Sequence, residues 1–296
     1  MIHSDYLIRG IFRSINARFV FAETTGTVSR GVTIHDTDPV AAEILAGALT
    51  VGALVSALLN KGEKYSLRWD YPGKLSSIIV DVNADCDIRG IIKEPHLMNM
   101  IASEQEIYGE KDGFISIIKS EAGKILNSGK TRTAFSDAVA DAGFFFSVSD
   151  QLETEFSTAI EFNPDPQNPV KRAGGFMIQA MPDCNLTEFE KYRKNICQPE
   201  FVDLLLERMP SEKKLWPLAA AAAGESEIFA DKNQLSYDYG SSPGFRCNCS
   251  FEKMKMAMSV LDKNELVALF LENANPSIMC NFCRKEYRFS RKDFSL

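Results

Sequence analysis

The sequence contains few of the residues from which common active sites are built. It has only three histidines in 296 residues, and His3, His35 and His96 lie far apart and in no recognisable motif. It also lacks Gly-x-Gly-x-x-Gly, His-Glu-x-x-His and Gly-x-Ser-x-Gly, which are typical of dinucleotide-binding proteins, metalloproteases and serine hydrolases. We therefore expect no catalytic residue and place the histidines at the surface or at helix flanks. A catalytic Cys86 would need a partner base that the sequence does not identify.

Long apolar runs and an excess of positive charge are also missing. The longest apolar run covers residues 44–59, whereas a membrane-spanning helix needs about 20 apolar residues. Its Ala and Gly content favours a closely packed, buried helix. The chain has 33 Lys and Arg against 40 Asp and Glu, which argues against a general polyanion binder. Residues 1–6 do not resemble a signal peptide, so we expect a soluble cytoplasmic protein without a membrane partner.

The composition is that of an ordinary globular protein, with 45% hydrophobic and 25% charged residues. Alternation of apolar and polar residues predicts strands within 5–35 and at 67–69, 76–82, 88–92, 114–118, 156–162 and 175–181. Helices are predicted over 38–59, with Asp38 as N-cap before Pro39, and over 136–146. Residues 1–181 are therefore predicted to form a mixed α+β core domain.

The composition changes over residues 182–240. The share of charged residues rises, and the spacing of apolar residues becomes that of helices. Thr187 and Glu190 fit a capping box. An apolar stripe follows Pro199, formed by Phe201, Leu204, Leu205 and Met209. Pro210 and Pro217 interrupt the pattern, so the helices are short and need a neighbouring surface. This segment is either an ordinary helical subdomain or a metastable linker that folds only while it is docked.

Four of the seven cysteines crowd the last 50 residues as two close pairs. They are Cys247, Cys249, Cys280 and Cys283. In a compartment that keeps thiols reduced, such pairs bind metal more often than they form structural disulfides. Four thiolates complete the tetrahedral shell of one Zn²⁺ and leave no position open for catalysis. We therefore predict a zinc-binding module over 241–296, whose metal is either purely structural or part of a redox switch.

Local signals within this module support a folded unit. Ser250 is predicted to cap a helix with Met254 and Met258 on its core face, and Asp262 with Glu265 to cap a second helix. A module of about 50 residues buries only a small core and usually needs an additional stabilising constraint such as a bound metal. Oxidation of the thiolates would remove the ligands. The loss of a structural zinc removes on the order of 10 kcal/mol of folding free energy, so an oxidised module should unfold and undock the segment before it.

At these residues the sequence resembles a known family, the redox-regulated 33 kDa heat-shock chaperones (heat-shock protein 33). The family pattern of Cys-x-Cys, about thirty residues and Cys-x-x-Cys is matched by Cys247-Asn248-Cys249 and Cys280-Asn281-Phe282-Cys283. The flanks match as well, at Phe245-Arg246 and at 285–290. Similar stretches in the core domain are 5–9, 62–64, 79–81, 87–90 and 173–179.

The resemblance implies an ATP-independent holdase of the stress response that is not an enzyme. It implies that the reduced, zinc-bound form is inactive. Oxidation would then form the disulfides Cys247–Cys249 and Cys280–Cys283, release zinc, unfold the linker over 182–240 and favour a homodimer that binds unfolding client proteins. Cys86, Cys184 and Cys197 lie outside the motif; the last two fall in the predicted linker and could form extra disulfides.

Two other patterns compete with this interpretation. A basic cluster near the second cysteine pair would suit a constitutive zinc-module protein that binds nucleic acid, although a solvated face is the simpler explanation. Its members are Arg284, Lys285, Arg288, Arg291 and Lys292. Gly129-Lys130-Thr131 resembles the end of a phosphate-binding loop, but the glycine spacing is wrong, so we predict a surface turn there.

Overall fold

A computed structural model describes residues 5–103, 105–224 and 234–294 of the chain. The chain divides into two compact units, Met1–Phe245 and Arg246–Leu296. The described residues of the predicted linker belong to the first unit, and its residues 225–233 lie outside the described residues, as does His3. The division into 1–181, 182–240 and 241–296 stays a prediction.

The first unit has the predicted α+β architecture. Its strands are β1 (Tyr6–Phe12), β2 (Ala17–Glu23), β3 (Glu63–Asp70), β4 (Ser77–Asn83), β5 (Asp87–Ile92), β6 (Phe114–Glu121), β7 (Lys124–Arg132), β8 (Thr154–Phe162), β9 (Val170–Ala180), β10 (Leu235–Tyr239) and β11 (Gly244–Phe245). Its helices are α1 (Thr25–His35), α2 (Pro39–Ser56), α3 (Gln105–Tyr108), α4 (Ala138–Ser149), α5 (Leu186–Ile196), α6 (Pro199–Leu206) and α7 (Ser211–Ala223).

The strands of this unit form two sheets. One has the order β10-β1-β2-β9-β8 and the other β11-β5-β4-β3-β6-β7. Neighbouring strands are antiparallel except β11 and β5, which pair in parallel. In the first sheet Phe21 lies opposite Phe176, and directly opposed residues of an antiparallel pair share a face. The register therefore places these two aromatic rings in one layer.

Helix α2 lies between the two sheets and forms the centre of the main core. Its predicted start is confirmed, because the Asp38 side chain accepts a hydrogen bond from the Ala41 amide at 2.9 Å. Glycine lets the sheet approach closely: a Cβ at Gly52 would lie 2.7 Å from the Val80 side chain. The helix has the length and hydropathy of a membrane span, but 78% of it is buried inside the protein, as expected of a core helix.

A second core covers the opposite face of the five-stranded sheet, and the helices of the predicted linker supply nine of its twenty buried residues among those described. Phe12 packs against Tyr192 of α5 with ring centroids 5.0 Å apart, and Leu215 and Leu218 of α7 are buried in the same cluster. Helix α6 has only eight residues, too few to be stable alone in water. These helices therefore depend on the apolar layer that docks them on the sheet.

A buried cation lies at the edge of this layer. Lys214 of α7 is only 1% exposed, and its ammonium donates a hydrogen bond to the carbonyl oxygen of Glu207. Burial lowers the pKa of Lys214 to about 8, although the Glu23 carboxylate on β2 opposes this shift. Arg172 on β9 adds to the lowering. This hydrogen bond lies within the linker, and burial disfavours the charge, so Lys214 opposes docking while it is protonated.

Two predictions for the core domain are wrong. Residues 25–35 form helix α1 rather than a strand, and Asp5, which precedes β1, accepts hydrogen bonds from the amides of Gly26 and Thr27 at 2.8 and 2.7 Å. Since this acceptor is twenty residues away, no local signal marks the helix start. The predicted turn at residues 129–131 is part of β7, a largely exposed strand at the end of its sheet, where burial imposes no apolar alternation.

One local prediction also fails. Asn185, not Thr187, caps α5, and its side chain accepts a hydrogen bond from the Glu188 amide at 3.2 Å. His35 lies at a helix end, as predicted; it is buried there, at 3% exposed, and its Nε2 contacts the Gly90 carbonyl oxygen at 2.8 Å.

Candidate metal centre

The second unit contains short helices and a two-stranded sheet. Its elements are α8 (Phe251–Met258), α9 (Lys263–Glu272), β12 (Ser277–Met279), β13 (Glu286–Arg288) and a 3-10 turn at Arg291–Phe294. Both predicted caps are confirmed. The Ser250 hydroxyl accepts a hydrogen bond from the Lys253 amide at 3.3 Å, and Asp262 with Glu265 forms a reciprocal capping box.

The apolar core of this unit is small. Its buried members are Met258, Leu266, Phe270, Cys280, Tyr287 and Phe289. Met258 is 3% exposed while Met256 is 64% exposed, so the predicted core face of α8 is the observed one. A core of this size holds little free energy in reserve, and the unit is expected to need an additional constraint.

Four sulfur atoms meet beside this core. The Sγ atoms of Cys247, Cys249, Cys280 and Cys283 all lie within 4.8 Å of one another. The Sγ of Cys247 is 3.8 Å from that of Cys280, and the Sγ of Cys249 is 3.4 Å from that of Cys283. A tetrahedral zinc with Zn–S bonds of about 2.3 Å separates its thiolates by about 3.8 Å. Donor type, number and spacing therefore fit a zinc ion.

Backbone hydrogen bonds fix the turn that carries the second pair. The Arg284 amide donates to the Cys280 carbonyl at 2.8 Å, and the Cys280 amide donates to the Lys285 carbonyl at 2.9 Å. Arg284 adopts a left-handed conformation with φ of 58°, which folds the chain back between β12 and β13. The first pair lies just before α8, and the Ser250 cap fixes where that helix begins.

A tyrosine also contacts the sulfur cluster, and the sequence did not single it out. The Tyr287 hydroxyl donates a hydrogen bond to the Sγ of Cys249 at 3.1 Å. Burial raises the pKa of Cys249, but hydrogen bonds from Tyr287 and from the neighbouring thiols outweigh it and bring the pKa down to about 7. Burial and its thiol neighbours raise the pKa of Cys283 to about 12. The hydrogen bond from Tyr287 therefore favours the thiolate form of Cys249.

The other three cysteines lie in the first unit. Cys86 is fully buried, and its Sγ is 3.1 Å from the Ser56 hydroxyl. Cys184 is partly buried in the second core, and Cys197 is exposed at the end of α5. They do not join the sulfur cluster, so the seven cysteines divide into four plus three, as predicted.

The predicted basic cluster is exposed throughout. Arg284, Lys285, Arg288, Arg291 and Lys292 all present their side chains to solvent. Arg288 forms an ion pair with Glu286 at 3.1 Å, and the Lys285 ammonium lies 5.1 Å from the centre of the Tyr287 ring. Exposure of this kind suits a solvated face, and nucleic-acid binding stays a prediction.

Fold and site together define an α+β protein with a C-terminal unit built around a four-cysteine centre that could hold a metal. Its residues 5–290 match the family model described as "Hsp33 protein". The chain belongs to the Hsp33 family, and the sequence resemblance is confirmed.

Individual relatives match along almost the whole chain. A 33 kDa chaperonin of Clostridium botulinum is 29% identical, over 98% of this chain and 96% of the relative. One from Staphylococcus carnosus is 27% identical over the same shares. The crystal structure of the 33 kDa chaperonin (heat shock protein 33 homolog) of Thermotoga maritima superposes with a TM-score of 0.81 at 22% identity, over 99% of this chain and 97% of that one. This likeness concerns the fold.

Proposed function

We propose that this protein is a redox-regulated, ATP-independent holdase chaperone. Its reduced form would hold one Zn²⁺ through Cys247, Cys249, Cys280 and Cys283 and would be inactive. The observation that carries the proposal is the convergence of these four Sγ atoms within 4.8 Å of one another, in a unit whose apolar core has six buried residues.

When bound, the ion supplies cross-linking between the two ends of the unit and holds the sulfurs as thiolates. The Cys-x-Cys segment before α8 and the β12–β13 hairpin would then be joined. Since four protein ligands leave no coordination position for water, we propose no hydrolytic or other catalytic role.

Peroxide would act on the thiolates. One cysteine thiol and H2O2 give a sulfenic acid and water, and a second thiol condenses with the sulfenic acid to give a disulfide and another water. We propose the pairs Cys247–Cys249 and Cys280–Cys283. In the reduced arrangement the short contacts instead join Cys247 to Cys280 and Cys249 to Cys283, so the sulfurs must shift as the bonds form. Once the four cysteines have formed disulfides they are no longer thiolates and cannot coordinate the metal.

The segment before the metal unit would respond next. In the described part of 182–240, three helices of 8 to 13 residues depend on docking to the first sheet. We propose that unfolding of the oxidised unit releases this linker. The apolar residues of the first sheet on which the linker packs would then be exposed for binding unfolded proteins. A homodimer would form on activation. The site of action is expected to be the cytoplasm, with no membrane partner.

The test is a client-aggregation assay without ATP. Reduced protein should not suppress aggregation of a thermally unfolding enzyme, while peroxide-treated protein should suppress it and should release one zinc per chain to a colorimetric chelator. Oxidised protein that retains zinc and suppresses nothing would contradict the proposal. Salt-sensitive binding of nucleic acid by the reduced form, with no gain on oxidation, would favour the constitutive zinc-module alternative instead.

A further inference from the structure

We propose that Cys184 and Cys197 form a second, conditional redox pair, whose disulfide closes only after α5 unfolds and then prevents α5 from refolding. The event that unfolds α5 in the cell is taken from the proposed function, on which this inference rests. The bond itself does not involve the four cysteines of the metal centre.

The folded helix keeps the two thiols apart. Cys184 immediately precedes the N-cap residue Asn185, and Cys197 is the C-cap residue of α5. At 1.5 Å per residue, the thirteen steps between them span about 20 Å, while a disulfide needs Cα atoms about 4.4–6.8 Å apart. The bond and the helix therefore exclude each other.

Folding also raises the pKa of both thiols. Partial burial raises the pKa of Cys184. Cys197 is exposed as a whole residue, but partial desolvation of its thiol and the Glu155 carboxylate raise the pKa of Cys197 to about 11. Since the thiolate is the nucleophile, both groups react slowly with peroxide while α5 is docked. Unfolding removes the burial, restores a thiol pKa of about 8.5 and leaves a short flexible loop whose ends meet readily.

The chemistry is balanced with hydrogen peroxide as the oxidant. The first cysteine is oxidised to a sulfenic acid as the O–O bond breaks and one water leaves. The second thiol attacks that sulfur, a second water leaves, and the S–S bond forms. Cys86 is a poor competitor, because it is fully buried in the main core.

The disulfide determines whether the unfolding of α5 can be reversed. Phe189, Tyr192 and Ile196 dock α5 on the sheet, and a loop closed at its two ends cannot extend into that helix. Metal alone would then not restore the docked linker, because a thiol reductant must first open the bond. The pair would act as a lock on the released state.

Trypsin makes the bond directly visible. It cleaves after Lys191, Arg193 and Lys194, all between the two cysteines, so only a disulfide can join the resulting peptides. Full-length protein is treated with peroxide in buffer and in mild urea, thiols are blocked, and linked peptides are measured by mass spectrometry. Hydrogen exchange of α5 is followed in parallel. The linked peptide should appear only in samples where α5 has lost protection.

Matched variants complete the test. After peroxide and urea are removed, α5 should stay unprotected in the wild type and regain protection in Cys184→Ser and in Cys197→Ser alike. The inference fails if α5 is unprotected yet no linked peptide forms, if the bond forms while α5 is protected, or if Cys197 joins a second chain instead. In the urea sample, α5 is unfolded by urea rather than by oxidation of the metal centre. A failure of peroxide to release zinc would therefore count against the proposed function alone.

Discussion

The ring of Phe201 in α6 packs edge-on against the ring of Phe176 in β9, with centroids 5.3 Å apart and planes at 79°. Both side chains are buried, at 2% and 0% exposed. One ring belongs to the core domain and the other to the predicted linker. This nonpolar contact between the two can be removed by a single substitution, while polar contacts such as the hydrogen bond from Arg172 to the Leu206 carbonyl oxygen remain.

Phe201→Ala should undock the linker without touching the metal centre. Truncation of a buried phenylalanine costs about 3–5 kcal/mol, which exceeds what an eight-residue helix can withstand. Hydrogen exchange over α5–α7 should accelerate while the zinc content stays unchanged. Leu186→Ala is the matched control, because Leu186 lies in the same segment but is 58% exposed. Equal protection in the two variants would show that this ring does not hold the linker.

Cys280→Ser should weaken metal binding and destabilise the second unit. Cys280 is 3% exposed and lies among the buried core residues, so loss of its sulfur removes both a ligand and packing. We expect zinc content below one per chain and a lower melting temperature for the second unit. Cys197→Ser serves as control, since Cys197 is exposed and lies in the first unit. Unchanged zinc stoichiometry and melting would remove Cys280 from the ligand set.

Tyr287→Phe should weaken zinc binding more mildly. It deletes the hydroxyl that donates to Cys249 at 3.1 Å and leaves the buried ring in place. Loss of a hydrogen bond to a metal ligand typically lowers metal affinity about 10–100-fold, and chelator competition should show a loss at the lower end. Tyr237→Phe, in β10 of the first unit, controls for the substitution itself. Equal affinities in the two variants would show that the hydroxyl does not support the site.

The pKa of Lys214 predicts how the free energy of linker docking depends on pH. Its pKa is lowered to about 8 by burial, against the attraction of Glu23 and Glu207, and the ordinary value is about 10.4. Between about pH 8 and about pH 10 the undocked chain therefore binds more protons than the docked one, so this group makes docking more favourable as the pH rises.

The comparison is with Lys214→Met. The free energy of unfolding of the wild type, minus that of this variant, should increase between about pH 8 and about pH 10, with a total on the order of 3 kcal/mol. Urea titrations at several pH values measure it. A difference that does not vary with pH would mean that Lys214 keeps its ordinary pKa in the folded protein.

The four-cysteine centre was predictable because its signal is local. Each pair is separated by one or two residues, and caps such as Ser250 and Asp262 mark the helices between the pairs. Helix α2 was equally readable, since Asp38 and Pro39 mark its start and its sides are apolar. In each case residues adjacent in sequence carry the information.

The features that the sequence did not predict depend on partners distant in sequence. Asp5 caps a helix whose first residues lie twenty positions later, and β7 is a strand only because β6 pairs with it. Tyr287 is an ordinary aromatic residue until the hairpin brings its hydroxyl to Cys249. The surface on which α5, α6 and α7 rest is built by β1, β2, β8 and β9. The linker pattern therefore showed that a surface was needed but not which one.

The strands β10 and β11 bring a last consequence. The first pairs with β1 at the end of one sheet, and the second pairs with β5 at the end of the other. Residues 235–245, which lead into the metal unit, thus cover one hydrogen-bonding edge of each sheet. An uncovered strand edge is a template for pairing with another extended chain. Any process that peels this segment away therefore exposes two rows of backbone amides and carbonyls.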